Sequence, residues 1–123
     1  MRPIPDDLRG RPFTTREALA VGVTRRMLDG DRFTSLHPGH GVWAVTADPR
    51  DLRFLLRADR LVVPPDAAVS HLTGLQMHGV DVGDPNVRHW STNLPVKRRG
   101  ASIVLHRRQA RLQPGIVDEI PVL

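Results

Sequence analysis

Two adjacent arginines, Arg25 and Arg26, follow Thr24 directly. An arginine can hold a guanine through two parallel hydrogen bonds, which discriminates against a wrong base by about 1–3 kcal/mol. That chemistry needs the pair at the start of a helix lying in the major groove. Thr14, Thr15, Arg16, Thr24, Arg32 and His40 flank the pair in the chain. Hydroxyl, guanidinium and imidazole groups of this kind hold backbone phosphates and set register without reading sequence. A second basic group, Lys97, Arg98, Arg99, Arg107 and Arg108, with Arg111 beyond it, lies in a stretch that has no acid between residues 85 and 117. Such a run predicts a strong local positive potential and a polyanion partner, a DNA backbone or tRNA, held in a salt-dependent manner.

Other chemistry is weaker. His37 and His40 have H-x-x-H spacing, but no third ligand is evident nearby, and a metal site of this type needs more than two protein ligands. Both read as exposed histidines of a turn. Ser70-His71 pairs a hydroxyl with a base, yet there is no G-x-S-x-G elbow and no carboxylate placed to orient the histidine. His71 and His78 share a helical face and read as partly buried structural histidines. The sequence therefore predicts no catalytic residue, no metal site and no cofactor.

The elements around Arg25 follow from local signals. Thr14 and Glu17 form an S/T-x-x-E capping box with Phe13 as a staple. A short helix over 15–21 follows, with Ala18, Leu19 and Val21 inward, and Gly22 suits its end. Thr24 caps a second helix from Arg25 to about Gly30, with Met27 and Leu28 buried. Residues 32–36 and 41–45 then form two strands around the tip His37-Pro38-Gly39-His40, where glycines tolerate positive φ. Ahead of these, residues 4–10 can supply only one or two helical turns between prolines. The order is that of a winged helix-turn-helix.

Beyond Asp48-Pro49, Leu52, Leu55, Leu56 and Val62 lie at helical spacing with Arg53, Arg57 and Arg60 opposite. Pro64-Pro65 ends this helix and starts another over 66–78, with Ala68, Leu72 and Leu75 as its inner stripe. From Val87 the period becomes two. VRHWSTNL and ASIVLHRR look like paired strands joined by a hairpin loop, with Trp90 in the sheet, and a last strand covers 116–122. The expected fold is α+β: a winged helix-turn-helix over residues 1–48, then two helices packed on a small antiparallel sheet over 49–123.

Bulk properties agree with a protein of this kind. The chain has 123 residues, 40% hydrophobic, with net charge +5 and no cysteine. Disulfides, thiolate zinc sites and a cysteine nucleophile are excluded. Seventeen of the 18 bases are arginine, so the placement of charge says more than its abundance. Residues 1–50 carry +2, residues 51–85 carry −2 and residues 86–123 carry +5. Three Phe, two Trp and no Tyr leave few platforms for stacking single-stranded bases. No apolar run approaches a membrane span and the N-terminus lacks a signal core, which predicts a soluble, cytoplasmic protein.

The segment FTTREALAVGVTRRMLDGDRFTSLHPGHGVWAV resembles the N-terminal winged helix of AbiEi-type antitoxins and transcriptional regulators. AVSHLTGLQMHGV, VRHWSTNLP and KRRGASIVLHRR resemble the segments that follow it, so the likeness covers about residues 11–123. It implies a sequence-specific DNA-binding regulator, non-catalytic, that represses its own operon. It also implies an α/β portion that opposes a nucleotidyltransferase-like toxin indirectly, without a stable complex, in a type IV toxin–antitoxin system. Relatives usually continue beyond the position of Leu123, some with a Vsr-like nuclease domain. The chain is then a minimal member, a truncated frame or an excised piece. The alternatives are the non-catalytic N-terminal portion of such a nuclease-family protein, or a protein-interaction domain. The oligomeric state is left open.

Overall fold

The computed structural model describes residues 2–80, 84, 86–95 and 102–123. Within these the chain is a mixture of helices and sheets in two compact units, residues 1–61 and 62–123.

The first unit opens with a 3-10 turn, Asp6–Leu8, which buries Leu8. The prolines around it allow no longer helix. Strand β1 (Phe13–Thr14) leads directly into α1 (Thr15–Ala20), and α2 (Arg25–Leu28) follows a tight turn. Gly22, with φ +93°, makes that turn at no steric cost. The capping box is present in both directions: the Thr14 hydroxyl accepts from Glu17 N, and the Glu17 carboxylate accepts from Thr14 N. Thr24 caps α2 by accepting from Met27 N. Strands β2 (Phe33–His37) and β3 (Val42–Val45) form an antiparallel hairpin, and β1 joins the far side of β3 to give the order β1-β3-β2. Helix α3 (Leu52–Arg60), capped by Asp51, completes the unit.

One face of this small sheet carries the main core. Leu8, Phe13, Ala18, Val23, Leu28, Phe33 and Val45 are buried together, with Ile4, Met27 and Trp43 packed against them. Phe13 and Phe33 meet edge to face at 6.0 Å, a favoured aromatic geometry. Leu19 and Val21, expected inward, are instead about two-fifths exposed at the end of α1. A helix of six residues has room to bury only one side, and Ala18 takes it.

The second unit holds β4 (Ala68–Val69), α4 (His71–Met77), β5 (Arg88–Thr92), β6 (Ile103–Arg107), β7 (Gly115–Val117) and β8 (Ile120–Val122). They form one sheet in the order β6-β5-β4-β8-β7. This sheet is mixed and not antiparallel. β5 pairs with β6 in parallel, as does β4 with β8, while β4–β5 and β7–β8 are antiparallel. The expected hairpin between β5 and β6 is therefore wrong. Alternation identifies a strand but carries no direction, and a ten-residue connection gives the chain room to return to the same end. Its residues 96–101 lie outside the described set.

Further corrections concern the middle of the chain. The segment expected to begin a helix at 66 contains β4, and α4 starts only at His71. β4 lies at the centre of the sheet, so Ala67, Ala68 and Val69 are all buried. A short apolar run of this kind has no period that separates strand from helix. Leu75, placed in the inner stripe, is 47% exposed, and α4 buries Thr73 and Met77 instead. The side chains of His71 and Leu72 lie outside the described residues. In addition, α3 falls in the first unit, so among the described residues α4 is the one helix in the second unit with the larger sheet. The final strand is resolved into β7 and β8, joined at Asp118 and Glu119, both with positive φ. Trp90 is fully buried in β5, as expected of sheet packing.

Candidate nucleic-acid interface

Arg25 and Arg26 occupy the first two positions of α2, and both are exposed. Their guanidinium groups make no hydrogen bond or ion pair among the described residues, and the same holds for Arg2, Arg16 and Arg32. Arg11 is the contrast. It donates to the Glu17 carboxylate at 2.7 Å and to the Asp7 carbonyl at 2.8 Å, so its charge is spent on holding the N-terminal segment to α1. These five arginines, like the exposed Arg57 of α3, remain available to an outside anion.

Three of the five gather around one residue. A surface cavity of about 310 Å³ is lined by Arg2, Thr24, Met27 and Arg32. A neighbouring one of about 260 Å³ is lined by Arg26, Met27, Gly30, Asp31, Arg32 and Phe33. Met27 and Arg32 belong to both. Sequence reasoning missed Arg2, because it sits on an unpatterned terminus, and it treated Met27 only as core.

The threonines are used differently from the expectation of free phosphate donors. The Thr14 hydroxyl lies 3.3 Å from the Glu17 carboxylate as well as accepting from Glu17 N. The Thr15 hydroxyl accepts from the Trp43 indole at 2.9 Å and lies 3.5 Å from the Gly41 carbonyl, while Thr15 N donates to that carbonyl at 2.9 Å. These bonds tie the turn end of the β2–β3 hairpin to the start of α1. Gly41 permits it: its φ is +66°, and an added Cβ would stand 2.9 Å from the Thr15 hydroxyl. Thr24 accepts from Met27 N and keeps its own hydrogen. Arg16 is exposed on α1, and His40 is exposed in the hairpin turn.

His37 is not an exposed turn residue. It is 4% exposed, and its Nε2 lies 3.1 Å from a carboxylate oxygen of Asp59, itself fully buried in α3. The approach is off the N–H axis, so it is a close polar contact and not an aligned hydrogen bond. A bulge explains the inward turn. Ser35 pairs with Trp43 but His37 pairs with Val42, so β2 carries one extra residue. The bulge moves His37 to the sheet face of Val42 and Ala44, both buried, and strict alternation could not foresee it.

The Glu17 carboxyl is held below the ordinary glutamate value. Burial pushes it up, but the Arg11 hydrogen bond, the Thr14 N–H and the Arg11 charge outweigh this, and the result lies below the ordinary value. A carboxylate lowered on folding stabilises the fold above about pH 4.3, the ordinary glutamate pKa, and the contribution is lost as pH falls through the lowered value. Glu17→Gln keeps the cap but removes the charge. Urea unfolding should find it less stable than wild type at pH 7, with the gap closing as the pH falls below about 4.3. A gap that is undiminished in acid contradicts the assignment.

The second basic surface is only partly described. Arg107 ends β6 and is exposed. Arg108 donates from Nε to the Ser91 hydroxyl at 3.2 Å, and Ser91 donates to Ser70 at 2.8 Å. Lys97, Arg98 and Arg99 lie outside the described residues. On the same strands, His89 Nδ1 and His106 Nε2 are 3.1 Å apart with nearly coplanar rings. At a centroid distance of 5.4 Å that contact requires rings set end to end, joined through a single hydrogen. Asp66 accepts from the Thr92 hydroxyl and from Asn93 N, which secures the end of β5. Among the described residues no cluster of three or more His, Cys, Asp or Glu is grouped to hold a metal.

No family model, characterised protein or solved structure matches the chain. No described helix is long and apolar enough to cross a membrane.

Proposed function

We propose that the first unit is a winged helix-turn-helix and that the chain is a sequence-specific, non-catalytic DNA-binding regulator of the AbiEi-like kind. One observation carries the reading: Arg25 and Arg26 stand exposed and unpaired at the start of α2, in a chain whose neighbouring Arg11 is neutralised internally. In this geometry the start of the second helix faces base edges. Arg16 and Arg32 hold phosphates, Thr24 retains a donor for one, and Arg2 adds a contact. The hairpin is anchored through Thr15 and Trp43, and His40 in its turn is the proposed wing-tip contact with the backbone. The toxin-opposing role of the second unit, with an indirectly opposed nucleotidyltransferase-like toxin, stays part of the proposal on the strength of the residue likeness alone. The partner proposed for the first unit is duplex DNA. Selection from a random duplex pool with the full chain should enrich one sequence, and a pool that stays unenriched contradicts the reading.

A further inference from the structure

We propose that Met27 selects a thymine in the bound duplex by packing against its 5-methyl group. The inference rests on the DNA-binding reading above and names what one part of that surface recognises.

Met27 lies beside Arg26 and is half-buried. Its inner part packs on the core cluster, and its N–H is fixed by the Thr24 hydroxyl at 3.2 Å. The next residue, Leu28, is 2% exposed and holds the helix in place. The outer part of Met27 forms the shared wall of the two cavities, with Arg2, Arg26 and Arg32 at their edges. None of those three guanidinium groups has a side-chain partner among the described residues. An occupant must therefore bring negative charge to the rim and an apolar group to the centre. Asp31 lines only the cavity that Arg26 also lines, so the phosphate-like charge belongs with Arg2 and Arg32 in the other.

Duplex DNA meets both demands. Its backbone supplies the charge, and the thymine methyl is the apolar group displayed on the edges of the major groove. A thioether on an unbranched chain adapts to such a contact without strain. Arg26 next to it would read a neighbouring base, so the pair would specify adjacent positions.

The test uses the duplex most enriched from the random pool. Each thymine is replaced in turn by deoxyuridine, which removes the methyl and nothing else. One replacement should weaken binding of the wild-type chain about four-fold, the factor that burying one methyl-sized group supplies. Met27→Ala should bind thymine and uracil equally at that position, while Met27→Leu should still prefer thymine. Met27→Gln, which keeps the length of the side chain, should behave as Ala does and serves if the shorter variant fails to fold by circular dichroism. Uracil tolerated at every position overturns the proposal. So does an undiminished thymine preference in Met27→Ala or Met27→Gln. Failure to enrich any sequence is a different result, and it removes the DNA-binding reading together with this one.

Discussion

Arg25→Ala combined with Arg26→Ala is expected to abolish preference for the selected duplex and to leave weak non-specific binding. Each bidentate arginine–guanine pair contributes about 1–3 kcal/mol of discrimination. Loss of both therefore lowers the ratio of specific to scrambled affinity by roughly thirty-fold to twenty-five-thousand-fold. Arg2, Arg16 and Arg32 remain to attract phosphates, and that attraction is indifferent to sequence. Both substituted side chains are exposed and unpaired, so thermal unfolding should move little, within about 0.5 kcal/mol. Competition binding with a fluorescent duplex reads the ratio. An unchanged ratio in a folded double variant would sink the assignment of α2 as the reading helix.

The largest effect on stability is expected at His37 and Asp59. Both are buried, and they face each other across the sheet–α3 interface at 3.1 Å. Removing the imidazole takes one polar contact from the buried Asp59 carboxylate, and a loss of that kind costs about 1–3 kcal/mol. His37→Leu should therefore lower the midpoint of thermal unfolding by roughly 4–24 °C, since about 1 kcal/mol moves a small domain by 4–8 °C. The double variant His37→Leu, Asp59→Leu removes both polar groups, and it should recover much of that loss. The ordering, single variant worse than double, is what a buried polar pair requires. A single variant as stable as wild type would mean that the two groups do not depend on each other.

How much of this was legible in the chain differs from one element to the next. Thr14-x-x-Glu17 and Thr24 both cap helices in the structure as the chain suggests, because a capping hydroxyl acts within three residues of itself. The hairpin at 33–45 follows from short range in the same way, through Gly39 and Gly41. What depends on distant neighbours was not legible. His37 turns inward because a bulge adds one residue to β2 and because Asp59, 22 residues on, waits on α3. Ala68–Val69 is a strand because β5 and β8 lie on either side of it, and its own residues state no preference. The direction of β6 depends on where a long connection carries the chain.

The candidate site divides along the same line. That Arg25 and Arg26 are exposed at the start of α2 was readable from Thr24 and the apolar pair Met27-Leu28. That Thr15 commits its hydroxyl to Trp43 and Gly41 was not, since both partners come from the hairpin. Arg2 gave no signal at all. Its place beside Arg32 and Met27 is a property of the folded surface.

The most direct test of the central claim is a binding titration of the full chain against the DNA upstream of its own reading frame and against a scrambled duplex, at two salt concentrations. Phosphate contacts weaken together as salt rises, whereas the difference between two sequences comes from the bases. Preference for the upstream duplex that survives the higher salt is the predicted result. Equal affinities that fall together with salt would leave only a basic surface and would contradict a sequence-specific regulator.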